Sequence, residues 1–374
     1  MRTLLLTLLL SLALILPAYA KPKTITQLSA INDYLVNTSI KHGAIPSIYN
    51  PTYIPVRDAD LIMDRNDVVF IVNLPNGIAI YPQKIMVWHQ IVNETINDIA
   101  YAITYCPITG TLAAYNATIP GVGNLLFDIE GELYDGNSVL IDRNTGSLWL
   151  QELGMAFNGP LLGRGMPTLE VYWTHWEAAQ RVFPTAKVLS PPKSRKAYGR
   201  DPYGSYVHKD SYYYNETVIY HMQRRDSRFP KKTPMLCLEL PDTLVGIDIN
   251  YVKEKGAVNF FAGNLALVAM HDPKLDVVRV FDRNIWTDPF LFVRKNGVIR
   301  DLQTLSVWDP IAGTATEGNM KGAKMKQYFG IYSMWMAWYS INPETMVIPG
   351  PGEVSEKYLS MEPIGEAKDP ITRK

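Results

Sequence analysis

The sequence predicts a β-rich α+β fold made of two tandem, diverged repeats, each a twisted antiparallel sheet with one C-terminal covering helix. Three observations predict it. Residues 142–189 slide by 159 positions onto 301–348 without a gap and match at 13 of 48 positions. Ordinary residue frequencies would give roughly 3. An upstream block matches at a shift of 166, with Val92-Asn93 on Val258-Asn259, Ala100 on Ala266 and Pro107 on Pro273. Finally, short β-forming runs occur in the same order in both copies, and 22 tyrosines against 11 phenylalanines suit rings that sit half in water on a sheet.

The elements follow in chain order. Arg2, the apolar run from Leu4 to Leu16 and the small-residue stretch Pro17-Ala18-Tyr19-Ala20 read as a signal peptide over 1–20. The run is shorter than the roughly 20 apolar residues a bilayer needs. The mature chain is therefore expected to be secreted, extracellular or held in the cell envelope, with no membrane span after cleavage. Residues 21–59 read as an N-terminal arm. Unit 1 covers 60–190 and opens with the strand Val68–Val72, then Ile99–Thr104. Unit 2 covers 234–348 and opens with Met235–Leu240, then Leu265–Met270.

In each copy a D-x-x-T-x-S-x-W segment follows, Asp142 to Trp149 and Asp301 to Trp308. Thr145, Ser147 and Trp149 alternate with period two, as on a strand. A helix is then expected over Leu169–Val182 and again over Phe329–Ser340. Tyr172, Trp176 and Ala179 stand at helical spacing there, and Pro184 follows the end. Between the units, 191–233 forms a basic, Tyr-rich segment, read as an exposed connector because its charges have no period. Residues 349–374 read as a polar tail.

Lys+Arg and Asp+Glu are both 36, so no global charge favours nucleic acid as a partner. N-x-S/T sequons begin at Asn37, Asn93, Asn116 and Asn215, which suits a glycoprotein; Asn93 sits in a strongly patterned stretch and reads as structural. No nucleophile elbow, phosphate-binding glycine loop, H-E-x-x-H or paired-cysteine zinc pattern occurs. A non-enzymatic binding or structural, assembly role is therefore expected, with an unidentified small ligand or other cell-surface proteins as partners; the alternative is a metal-binding or redox accessory protein that uses His89 and Cys106.

Two sets of candidate residues stand out. His89 and Cys106 flank the matched Val92-Asn93 entry and combine imidazole with thiolate, ligands suited to a Cu or Zn ion. A third ligand such as Met155, Asp142 or His175 is not placed by spacing. The second copy has Lys255 and Asp272 at the aligned positions. A packed Cys beside a hydrogen-bonded His is the plainer alternative. The other set, Tyr134, Asp142, Arg143 and Trp149, is the candidate ligand-binding group. Duplication of Asp, Thr, Ser and Trp in both copies also argues for a structural task.

Several stretches resemble one known family. They are Trp88-His89-Gln90-Ile91-Val92-Asn93-Glu94, Thr104-Tyr105-Cys106-Pro107, Leu133-Tyr134 and Asp142 through Trp149, with Gly159-Pro160-Leu161 and Tyr198 through Tyr203. Together they are similar to prokaryotic domain-of-unknown-function family 3179, over roughly 60–348. The resemblance implies a secreted or envelope-associated protein and brings no established activity. The family commonly shows C-P-x-C-G; here Thr109 stands at the second cysteine position, so a dithiol pair is absent from this motif.

Overall fold

The computed structural model describes residues 25–193, 198–286 and 288–354. The expected signal peptide and most of the polar tail lie outside them. Strand exceeds helix, 41% to 12%, in several largely antiparallel sheets, so the chain is β-rich.

The N-terminal arm is woven into those sheets. It contributes α1 (Ile25–Ser29), β1 (Val36–Asn37), β2 (Ile48–Tyr49), β3 (Tyr53–Pro55) and α2 (Val56–Ala59). The first half then runs β4 (Val68–Leu74), β5 (Gly77–Pro82), α3 (Gln83–His89), β6 (Ile91–Ile96), β7 (Ile99–Cys106) and β8 (Thr111–Asn116). A small hairpin, β9 (Thr118–Ile119) and β10 (Gly123–Asn124), precedes β11 (Phe127–Tyr134), β12 (Asn137–Asp142), β13 (Leu148–Leu150) and β14 (Met155–Asn158). It closes with β15 (Val171–His175), α4 (Trp176–Val182) and β16 (Lys187–Leu189).

The second half has β17 (Pro234–Glu239), β18 (Leu244–Asp248), α5 (Ile249–Lys255), β19 (Ala257–Ala262), β20 (Leu265–Asp272) and β21 (Val277–Asp282). Next come β22 (Phe292–Lys295), β23 (Val298–Asp301), β24 (Val307–Asp309), β25 (Thr314–Glu317) and β26 (Gln327–Tyr328). Last are β27 (Ile331–Met334), α6 (Trp335–Ile341) and β28 (Met346–Ile348).

The pairings of the two halves run in parallel order. β15-β4-β5-β16 lie side by side in one, and β27-β17-β18-β28 in the other. β6-β7-β8 answers β19-β20-β21, and β11 through β14 answers β22 through β25. Three expectations need correction. The covering helix is shorter than predicted, because β-branched and aromatic residues at Val171–His175 and Ile331–Met334 take the strand that pairs with β4 and β17. It is not the last element: β16 and β28 follow and pair parallel with β5 and β18, so these sheets are mixed. Each half also holds a second helix, α3 or α5, after its first hairpin.

Nor does each half keep its own sheet. β8 pairs with β27 at Leu112 and Tyr332, joining strands of both halves into one eight-stranded sheet, β2-β6-β7-β8-β27-β17-β18-β28. On the opposite side of this seam, Thr174 donates to the Leu275 carbonyl, and Arg279 reaches Tyr172 and Glu170. The central strands are buried on both faces, which explains their unbroken apolar runs. In β4, Phe70 and Val72 enter one core cluster while Val69 and Ile71 enter another.

The D-x-x-T-x-S-x-W segment forms a knot, built twice. Asp142 is fully buried and accepts from Thr145 N at 2.6 Å, Thr145 Oγ1 at 2.9 Å and the Trp149 indole at 2.9 Å. Asp301 does the same with Thr304 and Trp308, at 2.5, 2.9 and 2.8 Å. Ser147 and Ser306 then accept from Leu161 N and Met320 N, both at 3.0 Å. Thr145 and Ser147 lie in the turn, and the strand begins only at Leu148. Gly159 and Gly318 cross over these serines at φ +88 and +85; a Cβ would stand 2.7 Å from Ser147 Cα and 2.6 Å from Ser306 Oγ. Only glycine fits there.

Candidate ligand-binding site

The segment 198–233 is not a loose connector. It folds back along the seam, and Tyr212, Tyr213 and Met222 are buried. Tyr213 stacks on Tyr206 with centroids 3.7 Å apart, and Tyr206 stands edge-on to Trp173 at 5.1 Å. A hydrogen-bonded base holds this stack. Tyr213 OH donates to Asp201 Oδ2 at 2.8 Å, and the Gln83 amide donates to the same oxygen at 2.8 Å. The Tyr105 and Tyr206 hydroxyls meet at 3.1 Å. Burial pushes the phenols of Tyr105, Tyr206 and Tyr213 well above their usual range.

Above this base lies a cleft of about 430 Å³, within the range for small-molecule sites. Its walls come from both halves and the folded-back segment. Trp173 on β15, Tyr332 on β27, and Tyr206, Tyr213 and Tyr214 make it aromatic; Asn250 and Lys253 on α5, with Asp276 and Lys232, make its edge polar. Trp173 is directed by its register opposite Phe70, whose ring lies 4.8 Å away.

The two lysines differ. Lys253 Nζ is paired with Asp276 at 2.7 Å, and His271 Nε2 meets the other oxygen of that carboxylate at 2.9 Å. Burial opposes ionisation of Asp276, but the hydrogen bonds from His271 and Lys253 outweigh it and bring the carboxyl down to about 2. Lys232 Nζ instead donates to the Tyr212 carbonyl and to Asn215 Oδ1, the latter at 3.2 Å, and lies 3.5 Å from the Tyr212 ring centroid. Burial lowers its pKa to about 8; Glu216 opposes that shift and Lys231 adds to it.

Of the residues singled out from the sequence, His175 borders this cleft and the others do not. Asp142 and Trp149 are locked in their knot at zero exposure, so neither can meet a ligand from solvent. Tyr134 is 7% exposed, beside Leu150 and Phe157. Arg143 is exposed, 3.4 Å from Asp128 and over the Tyr49 ring. The four are not gathered into one site.

His89 and Cys106 also have separate surroundings. His89 Nδ1 lies 2.7 Å from the Pro46 carbonyl and so donates to it; Nε2 lies 2.8 Å from the Tyr198 hydroxyl. Both ring nitrogens are thus engaged within the protein. Cys106 is buried, 3.8 Å from the Gly136 carbonyl, among Met222, Met334 and Tyr212. Both cysteines are free thiols. Among the described residues, no group of three or more His, Cys, Asp or Glu could hold a metal ion. Thr109, at the family's second cysteine position, bonds Thr111 at 2.8 Å and receives the Asn137 amide at 3.0 Å, within a buried polar network.

Sequence reasoning missed the cleft because its walls are far apart in the chain. The available signal was tyrosine density: Tyr203, Tyr206, Tyr212, Tyr213 and Tyr214 fall within twelve residues. Residues 42–345 match the model of a family described as "Protein of unknown function (DUF3179)". No curated protein and no solved structure matches the chain.

Proposed function

Since the chain belongs to the DUF3179 family of proteins of unknown function, we propose its function from geometry: a secreted or cell-surface binding protein that holds a small ligand in the seam cleft. The observation that carries this reading is the cleft itself, a concave, largely aromatic space with a few placed polar groups. The recurring order of pairings supports descent of the two halves from one duplicated unit, with the cleft arising where the copies meet. The apolar run and A-x-A site at the N-terminus support export.

Thermal-shift screening of the mature protein against a metabolite collection tests the reading. At least one compound is expected to raise the midpoint, because a ligand that binds only the folded state stabilises it. That shift should be lost in Tyr214→Ala, a rim residue with 48% exposure whose removal leaves the core intact. A shift unchanged in this variant and in Trp173→Leu would remove the cleft from the function. N-terminal sequencing of exported protein should begin at Lys21.

A further inference from the structure

Resting on that reading, we propose that the cleft takes an aromatic carboxylic acid, its carboxylate paired with Lys232 and its ring against Trp173 and Tyr214. Charge bookkeeping within the cleft points there. Lys253 is neutralised by Asp276 at 2.7 Å, and Glu216 lies 4.0 Å from Lys231. Among the described residues no carboxylate stands within ion-pair distance of Lys232; its acceptors are a carbonyl and an amide oxygen. A half-buried ammonium with only neutral acceptors lacks a counter-ion, and an anionic ligand supplies one. Burial lowers the pKa of Lys232, Lys231 adds to that shift, and Glu216, which makes no direct ion pair with it, only partly offsets it.

A single uncompensated cation fits a monoanion. A phosphate dianion would bring a second negative charge beside Glu216 and Asp276, which both border the cleft. The apolar remainder of the ligand follows from the walls. Aromatic side chains favour a planar, polarisable body, through edge-to-face and stacked contacts. A volume of about 430 Å³ accommodates one or two rings and a short acidic arm.

Calorimetric titration of the full mature protein with indole-3-propionate and with its neutral primary amide tests the proposal. At pH 7 the acid should bind at least tenfold more tightly. The acid's carboxylate stays ionised above pH 7, whereas Lys232 loses its charge as pH rises through about 8. The preference should therefore shrink to less than threefold at pH 9.5. The other charged groups near Lys232 are Glu216 and Lys231 on its own segment, and His175, Lys253 and Asp276 across the cleft. Lys232→Met isolates their share: this variant should bind acid and amide alike, while Lys232→Arg should keep the preference at both pH values.

Equal binding of acid and amide by the native protein overturns the proposal, as does a preference that survives Lys232→Met or persists unchanged at pH 9.5. If Lys232→Met does not fold, the acid–amide and pH comparisons on native protein still decide. Failure of both indoles while another compound passes the Tyr214→Ala criterion overturns the Lys232 pairing and leaves the binding reading standing. Failure of every compound overturns both.

Discussion

Asp142 and Asp301 hold equivalent knots, one in each half of the chain. Each carboxylate is fully buried and satisfies three donors, including an indole that belongs to a core cluster. Removing it strands those donors at the full desolvation cost. Asp142→Ala and Asp301→Ala should each lower unfolding free energy by about 3 kcal/mol, measured by urea denaturation. A loss under 1 kcal/mol would show that the knot is not a stabilising unit. These residues were legible because their spacing and their duplication both mark them, and the structural side of that reading explains the geometry. Asn93 is legible in the same way. Its amide donates to the Phe127 carbonyl at 3.0 Å and accepts from Phe127 N at 2.8 Å, and Asn259 makes the same pair with Phe292. Buried and doubly bonded, Asn93 should carry no glycan when the protein is expressed in a glycosylating host. Mass spectrometry showing a modified Asn93 would contradict its burial.

Among elements, long apolar strands were readable and short ones were not. Val68–Val72 and Leu265–Met270 announce themselves by continuous apolar residues, because the strands that contain them are covered on both faces. Lys187–Leu189 is only three residues long, and its parallel pairing with β5 depends on a partner more than 100 positions earlier. The helix expected at Leu169 fails for a similar reason. Tyr172 and Trp176 do enter the same core cluster, but Tyr172 reaches it from a strand and Trp176 from the following helix. Tertiary pairing with β4 overrides the local period. The Tyr-rich segment reads as an exposed connector because its charges have no period, yet Tyr212, Tyr213 and Met222 within it are buried. Burial raises the phenol pKa of Tyr105, Tyr206 and Tyr213, so folding keeps them neutral where the unfolded chain would ionise them near pH 10. Their contribution is complete below pH 10 and is lost as pH climbs above it. Phenolate absorbance should therefore show a class of tyrosines that titrates only together with unfolding. Free titration of all 22 near pH 10 would mean that the segment is not packed.

At the scale of the whole molecule, the two halves are joined by more than their linker. The shared eight-stranded sheet and the buried Arg279 cluster place first-half and second-half residues in common cores. Calorimetry should record one cooperative transition. Two resolved transitions, one surviving deletion of the other half, would mean that the seam contributes little. This scale was the least legible. The self-similarity could be counted in the sequence, but Trp173, Lys232, Lys253 and Tyr332 meet only after the two halves pack, and no local pattern encodes that meeting. His89 and Cys106 match a metal site by chemical type alone; the fold gives each its own neighbours instead.

The joining of the halves edge to edge through β8 and β27 has a further consequence. Lys209, Arg225 and Arg228 are exposed, and trypsin is expected to cut after one of them without releasing either piece. The nicked protein should run as two bands under denaturing conditions and as one particle in its native state, and two separately produced fragments should reconstitute it by complementation.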